Sequence, residues 1–197
     1  MTVPDIAHAR LASGDPLSPF VLETLAHGSF RVPNGRFVHL QFRRFAGCPI
    51  CSLHLRRFAR VHQKLASAGV DVVAFFHSSA ATLAPYHGDL PFPVVADPER
   101  VYYSRFGVGS SLLGLVHPKV VWSGMKGLFV APSSPFVGEG GHAGLPADLL
   151  VDPEGKLIAS HYGAHADDQW EPEEVLELRA RVRREVTLLE EKAAKTA

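Results

Sequence analysis

Cys48-Pro49-Ile50-Cys51 holds the only two cysteines in a chain of 197 residues. A disulfide between them would close a tiny loop and stabilise the fold very little. Chemistry is the better reason for having the pair. Pro49 suits the first turn of a helix, where its missing N–H would be unpaired anyway. That places Cys48 at the N-cap and Cys51 one turn in. Backbone N–H groups and the helix dipole then favour negative charge on the Cys48 sulfur. Such settings bring a thiol pKa from about 8.5 into a range of roughly 3.5–7.5. The thiolate is the nucleophile, so Cys48 is expected to attack and Cys51 to resolve the product. Arg43 and Arg44 lie just upstream and would support the thiolate if turned inward.

Several elements must position this dithiol. Phe37–Phe42 is rich in strand formers and apolar at alternate places, which predicts the first core strand. Ile50, Leu53, Phe58, Val61 and Leu65 recur at helical spacing, so a helix is expected from about 49 to 68, closed by Gly69. Val70–Phe76 is nearly all apolar, as in a parallel strand buried on both faces. Strand, helix and strand make a βαβ unit, and a C-x-x-C opening its helix is a far stronger redox signal than a bare one.

Around this unit, Phe20–Leu22 and Ser29–Val32 are short strand candidates, and a short helix is expected from Ser79 to about Tyr86 with Pro85 disturbing its end. Phe92–Val95 is another strand candidate. Asp97 is expected to cap a helix that takes Pro98 in its first position and runs to Phe106-Gly107. Asp148–Val151 and Lys156–His161 are predicted strands about a turn at Asp152–Gly155, followed by a last helix from Pro172. The reading is one domain over 1–197, with an N-terminal extension over 1–36, an insertion over 108–145 and a fraying tail over 186–197. A helical piece and a loop are expected in the insertion.

Hydrophobic residues make up 46% and charged residues 20%, which fits a globular chain long enough to bury a core. The formal net charge is zero, which removes the usual electrostatic argument for nucleic acid or an anionic membrane. Apolar runs are too short for a bilayer and no secretory signal is visible, so a soluble, cytoplasmic protein is expected.

Phe37–Cys51, Val70–Phe76, Asp97–Gly107 and Leu145–Gly155 together resemble the redoxin branch of the thioredoxin superfamily. More narrowly, they resemble peroxiredoxin-like proteins grouped with alkyl hydroperoxide reductase and thiol-specific antioxidant; His161–Trp170 resembles the same subgroup. The likeness spans residues from about 14 to 180 apart from the insertion. It implies an α/β thioredoxin fold of redoxin type, a central mixed β-sheet flanked by helices. The insertion would precede the strand that begins at a cis-proline, Pro146. The implied chemistry is dithiol–disulfide exchange or peroxide reduction. Cys48 matches the attacking cysteine and Cys51 the resolving one. Pro49, Leu145, Pro146 and Arg44 are the implied substrate-binding residues.

The chain also departs from true peroxiredoxins. They carry Pro and Thr or Ser seven and three residues before the cysteine, where this chain has Gln41 and Phe45. Their peroxide-steering Arg falls near the position of Pro146, and Arg44 is a candidate substitute.

Three functions follow. The first is a thiol–disulfide oxidoreductase, the second a thiol peroxidase using the same cysteines, and the third a non-enzymatic metal-binding domain using Cys48, Cys51 and His161 or His165. Neither oxidoreductase needs a metal or organic cofactor. Electrons would come from a donor of thioredoxin or glutathione type, and the substrate would be a disulfide or a peroxide. Haem attachment is disfavoured because Ser52 stands where a histidine is required.

Other residues keep two readings. His54 is most simply a helix-surface histidine, with a proton role as the alternative. His77 either lies at the sheet's carboxyl edge, where ligands gather, or serves a turn. Trp170 is read as an anchor for the last helix, and Arg179, Arg181, Arg183 and Arg184 as a solvated helix face. Trp122, Phe129 and Phe136 either pack the insertion down or form a substrate or homodimer surface.

Overall fold

A computed structural model describes residues 9–110, 139, 141 and 143–196. The expected helical piece of the insertion, with Trp122, Phe129 and Phe136, lies outside these residues. The chain begins with a hairpin of β1 (Phe20–Glu23) and β2 (Ser29–Val32). Next come β3 (Phe37–Phe42), α1 (Pro49–Arg60), α2 (His62–Ser67) and β4 (Val70–Phe76). Then follow α3 (Ala80–His87), β5 (Val94–Ala96), α4 (Val101–Arg105), β6 (Ala147–Val151), β7 (Leu157–Tyr162) and α5 (Pro172–Thr196).

The sheet runs β5-β4-β3-β6-β7. Strands β3, β4 and β5 are parallel, while β6 pairs antiparallel with both β3 and β7. The expected mixed sheet with a βαβ unit at its centre is present. β3 and β4 occupy the predicted residues because both are buried and their apolar patterns are long. Phe42 and Phe75, paired across the two strands, stack at 4.6 Å between ring centroids.

Alternation along β3 sorts its residues between two cores. Val38, Leu40 and Phe42 pack with Phe106 and Leu22 on one face. Phe37 packs with Leu55, Phe58 and Val175 on the other. His39 and Gln41 stand on this second face and are also fully buried. Polar His39 and Gln41 at alternate positions would suit a strand with one wet face, yet every residue of β3 is buried.

The predicted helix over 49–68 is two helices. Val61 takes φ −109 and ψ 13 and interrupts the run after Arg60. Gly69 closes the second piece at φ +80, where a Cβ would be strained. The helix after Asp97 also starts later than expected. Residues 98–100 form a turn, with Arg100 at φ +57, and α4 opens at Val101. Asp97 still caps it, from further back. Its carboxylate accepts from the backbone N–H groups of Val101, Tyr102 and Tyr103 at 2.9, 2.8 and 3.2 Å. We expect Asp97→Ala to cost about 1–2 kcal/mol, read from the urea midpoint, because three donors lose their acceptor together.

The last helix is longer than expected. It continues through the segment expected to fray and reaches Thr196, although Val186, Leu188 and Leu189 are exposed. Arg179 departs from the solvated face assigned to it. Its Nε donates to Ala68 O at 3.2 Å and its guanidinium lies 4.7 Å from the Phe37 ring. Trp170 does anchor the start of this helix, packed against the first core and 5.8 Å from the His39 ring. No helix among the described residues is long and apolar enough to cross a membrane.

Candidate functional site

The turn between β3 and α1 sets the dithiol at the carboxyl edge of the central parallel strands. Cys48 is the N-cap of α1 in extended conformation (φ −63, ψ 114), Pro49 follows it, and no acidic residue occupies the first turn. Both cysteines are free thiols, 0% and 1% exposed. Cys51 N–H donates to the Cys48 sulfur at 3.3 Å, and Arg44 Nη1 approaches the same sulfur at 3.8 Å.

Burial pushes the Cys48 thiol up. The Cys51 thiol hydrogen bond, the Arg44 charge and the N–H groups of Cys51 and Ile50 outweigh it and bring the pKa down to about 7. Burial and the neighbouring Cys48 hold Cys51 well above the ordinary thiol value. One proton is therefore shared unequally, with the thiolate on Cys48 and the thiol on Cys51. Alkylation of reduced protein by iodoacetamide should rise through an inflection near pH 7 and be about tenfold faster at pH 8 than at pH 6.

The two arginines before the turn divide. Arg44 serves Cys48. Arg43 is fully buried and points away into a polar cluster beneath α1. It forms an ion pair with Asp148 of β6, Nη2 to Oδ1 at 2.6 Å. Gln41 Oε1 accepts from Arg43 Nη2 at 2.8 Å, and His39 Nε2 lies 2.9 Å from Asp148 Oδ1. Arg43 Nη2 also approaches His54 Nε2 at 3.2 Å. His54 is thus 2% exposed, where a helix-surface histidine was expected. It falls on the inner face of α1, the face that buries Leu55 and Phe58. Sequence reasoning missed this cluster because its members lie up to 109 residues apart. The one available signal was the polar residues His39 and Gln41 inside a core strand.

Tyr103 joins the two strand ends beside the dithiol. Its hydroxyl donates to Phe75 O at 2.9 Å and contacts Arg43 O. The active-site turn is tied down as well, since Ala46 N–H donates to Ser78 Oγ at 3.1 Å and His87 Nε2 lies 2.8 Å from Ala46 O.

The cis-proline expectation is corrected. Among the described residues the cis peptide bond is Val32–Pro33, not Leu145–Pro146. Leu145 N–H donates to Gly109 O at 3.2 Å and Pro146 O accepts from Gly163 N–H at 2.9 Å, so this stretch is held by the chain's own backbone. His161 is engaged by Asp168 at 2.9 Å, on β7. No group of three or more His, Cys, Asp or Glu side chains among the described residues is arranged to hold a metal ion.

A family model for AhpC/TSA matches residues 14–160, about three quarters of the chain. The chain belongs to the AhpC/TSA family. Membership makes it a thiol-dependent oxidoreductase of the peroxiredoxin-like group. Several solved structures share the fold at low identity. Peroxidoxin BcpB from Mycobacterium tuberculosis matches at a TM-score of 0.63 and 14% identity, covering 88% of this chain and 99% of its own. A reduced 2-Cys peroxiredoxin of Plasmodium vivax matches at 0.65 and 13%, covering 90% and 84%. AhpC of Mycobacterium tuberculosis matches at 0.62 and 14%, covering 89% and 94%. No curated protein matches.

Proposed function

We propose that this AhpC/TSA protein is a thiol peroxidase in which Cys48 reduces a small hydroperoxide and Cys51 resolves the product. The carrying observation is the Cys48 sulfur at the head of α1, held by Cys51 N–H and Arg44 and poised near neutral pH. In the first step the thiolate attacks the terminal peroxide oxygen. An S–O bond forms, the O–O bond breaks, and its electron pair leaves on the alcohol oxygen, which takes up a proton. In the second step the Cys51 sulfur attacks the sulfenic acid, expelling water and forming the Cys48–Cys51 disulfide. A thiol donor of thioredoxin or glutathione type returns the disulfide to two thiols. Such donors are kept reduced in the cytoplasm, the compartment we assign. Pro49 leaves the first turn without an N–H of its own, and Arg44 brings its positive charge to 3.8 Å from the reacting sulfur.

Disulfide exchange is the second reading, favoured by the C-x-x-C itself. In that reading Leu145 and Pro146 would edge a groove for a substrate chain. The Leu145 N–H already donates to Gly109 O, and both cysteines are buried, so a small substrate suits the site better than a protein one.

The test is a stoichiometric pulse of hydrogen peroxide on the reduced protein, with thiol loss followed by rapid kinetics. The peroxidase reading expects oxidation orders of magnitude faster than a free thiol, ending in an intramolecular disulfide. Oxidation at the free-thiol rate would transfer the assignment to disulfide exchange.

A further inference from the structure

Helix α5 outruns the body it packs on. Val175 is fully buried, and Leu178 and Val182 pack against the first core. From Arg183 to Thr196 every residue is exposed. The apolar stripe does not stop where the contact does. Val182, Val186, Leu189 and Ala193 follow one another at spacings of four, three and four, which keeps them on one face of the helix. Val186 is 48% exposed and Leu189 65%. Helices in proteins are held chiefly by packing of such a face, so a helix that runs on to Thr196 with its stripe bare calls for a cover. The charges beside the stripe say what fits. Arg183 and Glu190 flank it on one side, Glu185 and Lys192 on the other. None of the four makes an ion pair among the described residues.

We propose that this half of α5 pairs antiparallel with the same segment of a second copy of the chain. A two-fold axis passing between Thr187 and Leu188 sets Val182 against the partner's Ala193 and Val186 against the partner's Leu189. The apolar layers of one helix then close on those of the other. The same operation brings Arg183 to the partner's Glu190 and Glu185 to the partner's Lys192, and symmetry makes each pair twice. Every flanking charge thereby meets its opposite. A parallel pair would set Glu185 against the partner's Glu190, like against like, so the charges select the antiparallel arrangement. A two-fold contact requires one patch that is complementary to itself, and residues 182–193 form one. The seam is short, so the dimer is weak and forms with rising concentration. The pairing is independent of the peroxidase reading.

The measurement is sedimentation equilibrium of the full chain with both cysteines kept reduced. The parent is expected to be mainly dimeric at about 200 µM and mainly monomeric at about 2 µM. Leu189→Glu, which puts a charge into the seam, should be monomeric at both concentrations. Leu188→Gln removes an equally exposed leucine that lies off the stripe, and it should associate like the parent. Glu190→Arg faces the partner's Arg183 and should weaken association at least about tenfold, as should Arg183→Glu. The two reversals combined restore opposite charges and should return association to within about threefold of the parent. A parent that stays monomeric at the higher concentration would overturn the proposal, a segment of its own chain then being the cover. Tighter association of Glu190→Arg would mean a parallel pair and overturn it as well. So would dimers that survive Leu189→Glu, or a double reversal no better than either single one.

Discussion

Cys48→Ser will abolish the fast reaction with hydrogen peroxide, a loss of at least about a thousandfold. A serine hydroxyl stays protonated near neutral pH, so the hydrogen bond from Cys51 N–H and the Arg44 charge would have no anion to stabilise. Cys51→Ser should behave differently. The first oxidation survives, because Cys48 still meets peroxide, but no intramolecular disulfide forms and the sulfenic acid persists long enough to be trapped by dimedone. Stopped-flow peroxide kinetics on the two variants, with intact mass of the products, separate the roles. Fast peroxide consumption by Cys48→Ser would remove Cys48 as the nucleophile. A trapped sulfenic acid on Cys51 in the parent protein would reverse the order of attack.

The second large effect concerns stability. Breaking the Arg43–Asp148 pair from either side, by Arg43→Met or Asp148→Asn, should cost about 3–5 kcal/mol, since each leaves a buried charge without its partner. Replacing both, as Arg43→Met with Asp148→Asn, should cost clearly less than the sum of the separate effects. Strict additivity in urea unfolding would mean the two groups do not act as a unit.

The same cluster makes the fold acid-sensitive. Burial, then the Arg43 charge, holds His54 well below the usual imidazole value; burial lowers His39 against the pull of Asp148. The unfolded chain takes up those protons as pH falls below about 6.5, while the folded chain does not. Stability is therefore full above that pH and falls below it, by up to about 1.4 kcal/mol per pH unit for each ring. Asp148 acts in the same direction at lower pH. Burial opposes its charge, but Arg43 and His39 hold its carboxyl far below the usual range, so its contribution begins to fade below about pH 4. The urea midpoint should drop steadily from pH 7 to pH 5, and a flat profile would contradict neutral buried imidazoles.

The sequence was most readable where the physics is local. Cys48-Pro49-Ile50-Cys51 after a strand former run and before a helical period could hardly sit elsewhere than at a helix start, because Pro49 and the thiol spacing both demand it. Val70–Phe76 and Phe37–Phe42 were legible to the residue, since their apolar runs suit central strands. The start of α4 was not. Asp97 signalled a cap, but only the turn through Arg100 fixed which N–H groups it would reach.

By itself, then, the sequence determined the βαβ frame, the dithiol at its helix head and the kinship with redoxins, since each depends on residues close in the chain. The tertiary structure decided that Arg44 rather than Arg43 serves Cys48, that His54 is interior, and that Leu145–Pro146 is bound to its own backbone. Those outcomes depend on Asp148 and Gly109 arriving from distant parts of the chain. A charged side chain turns toward whichever buried partner the fold brings within reach, and no local spacing encodes that choice.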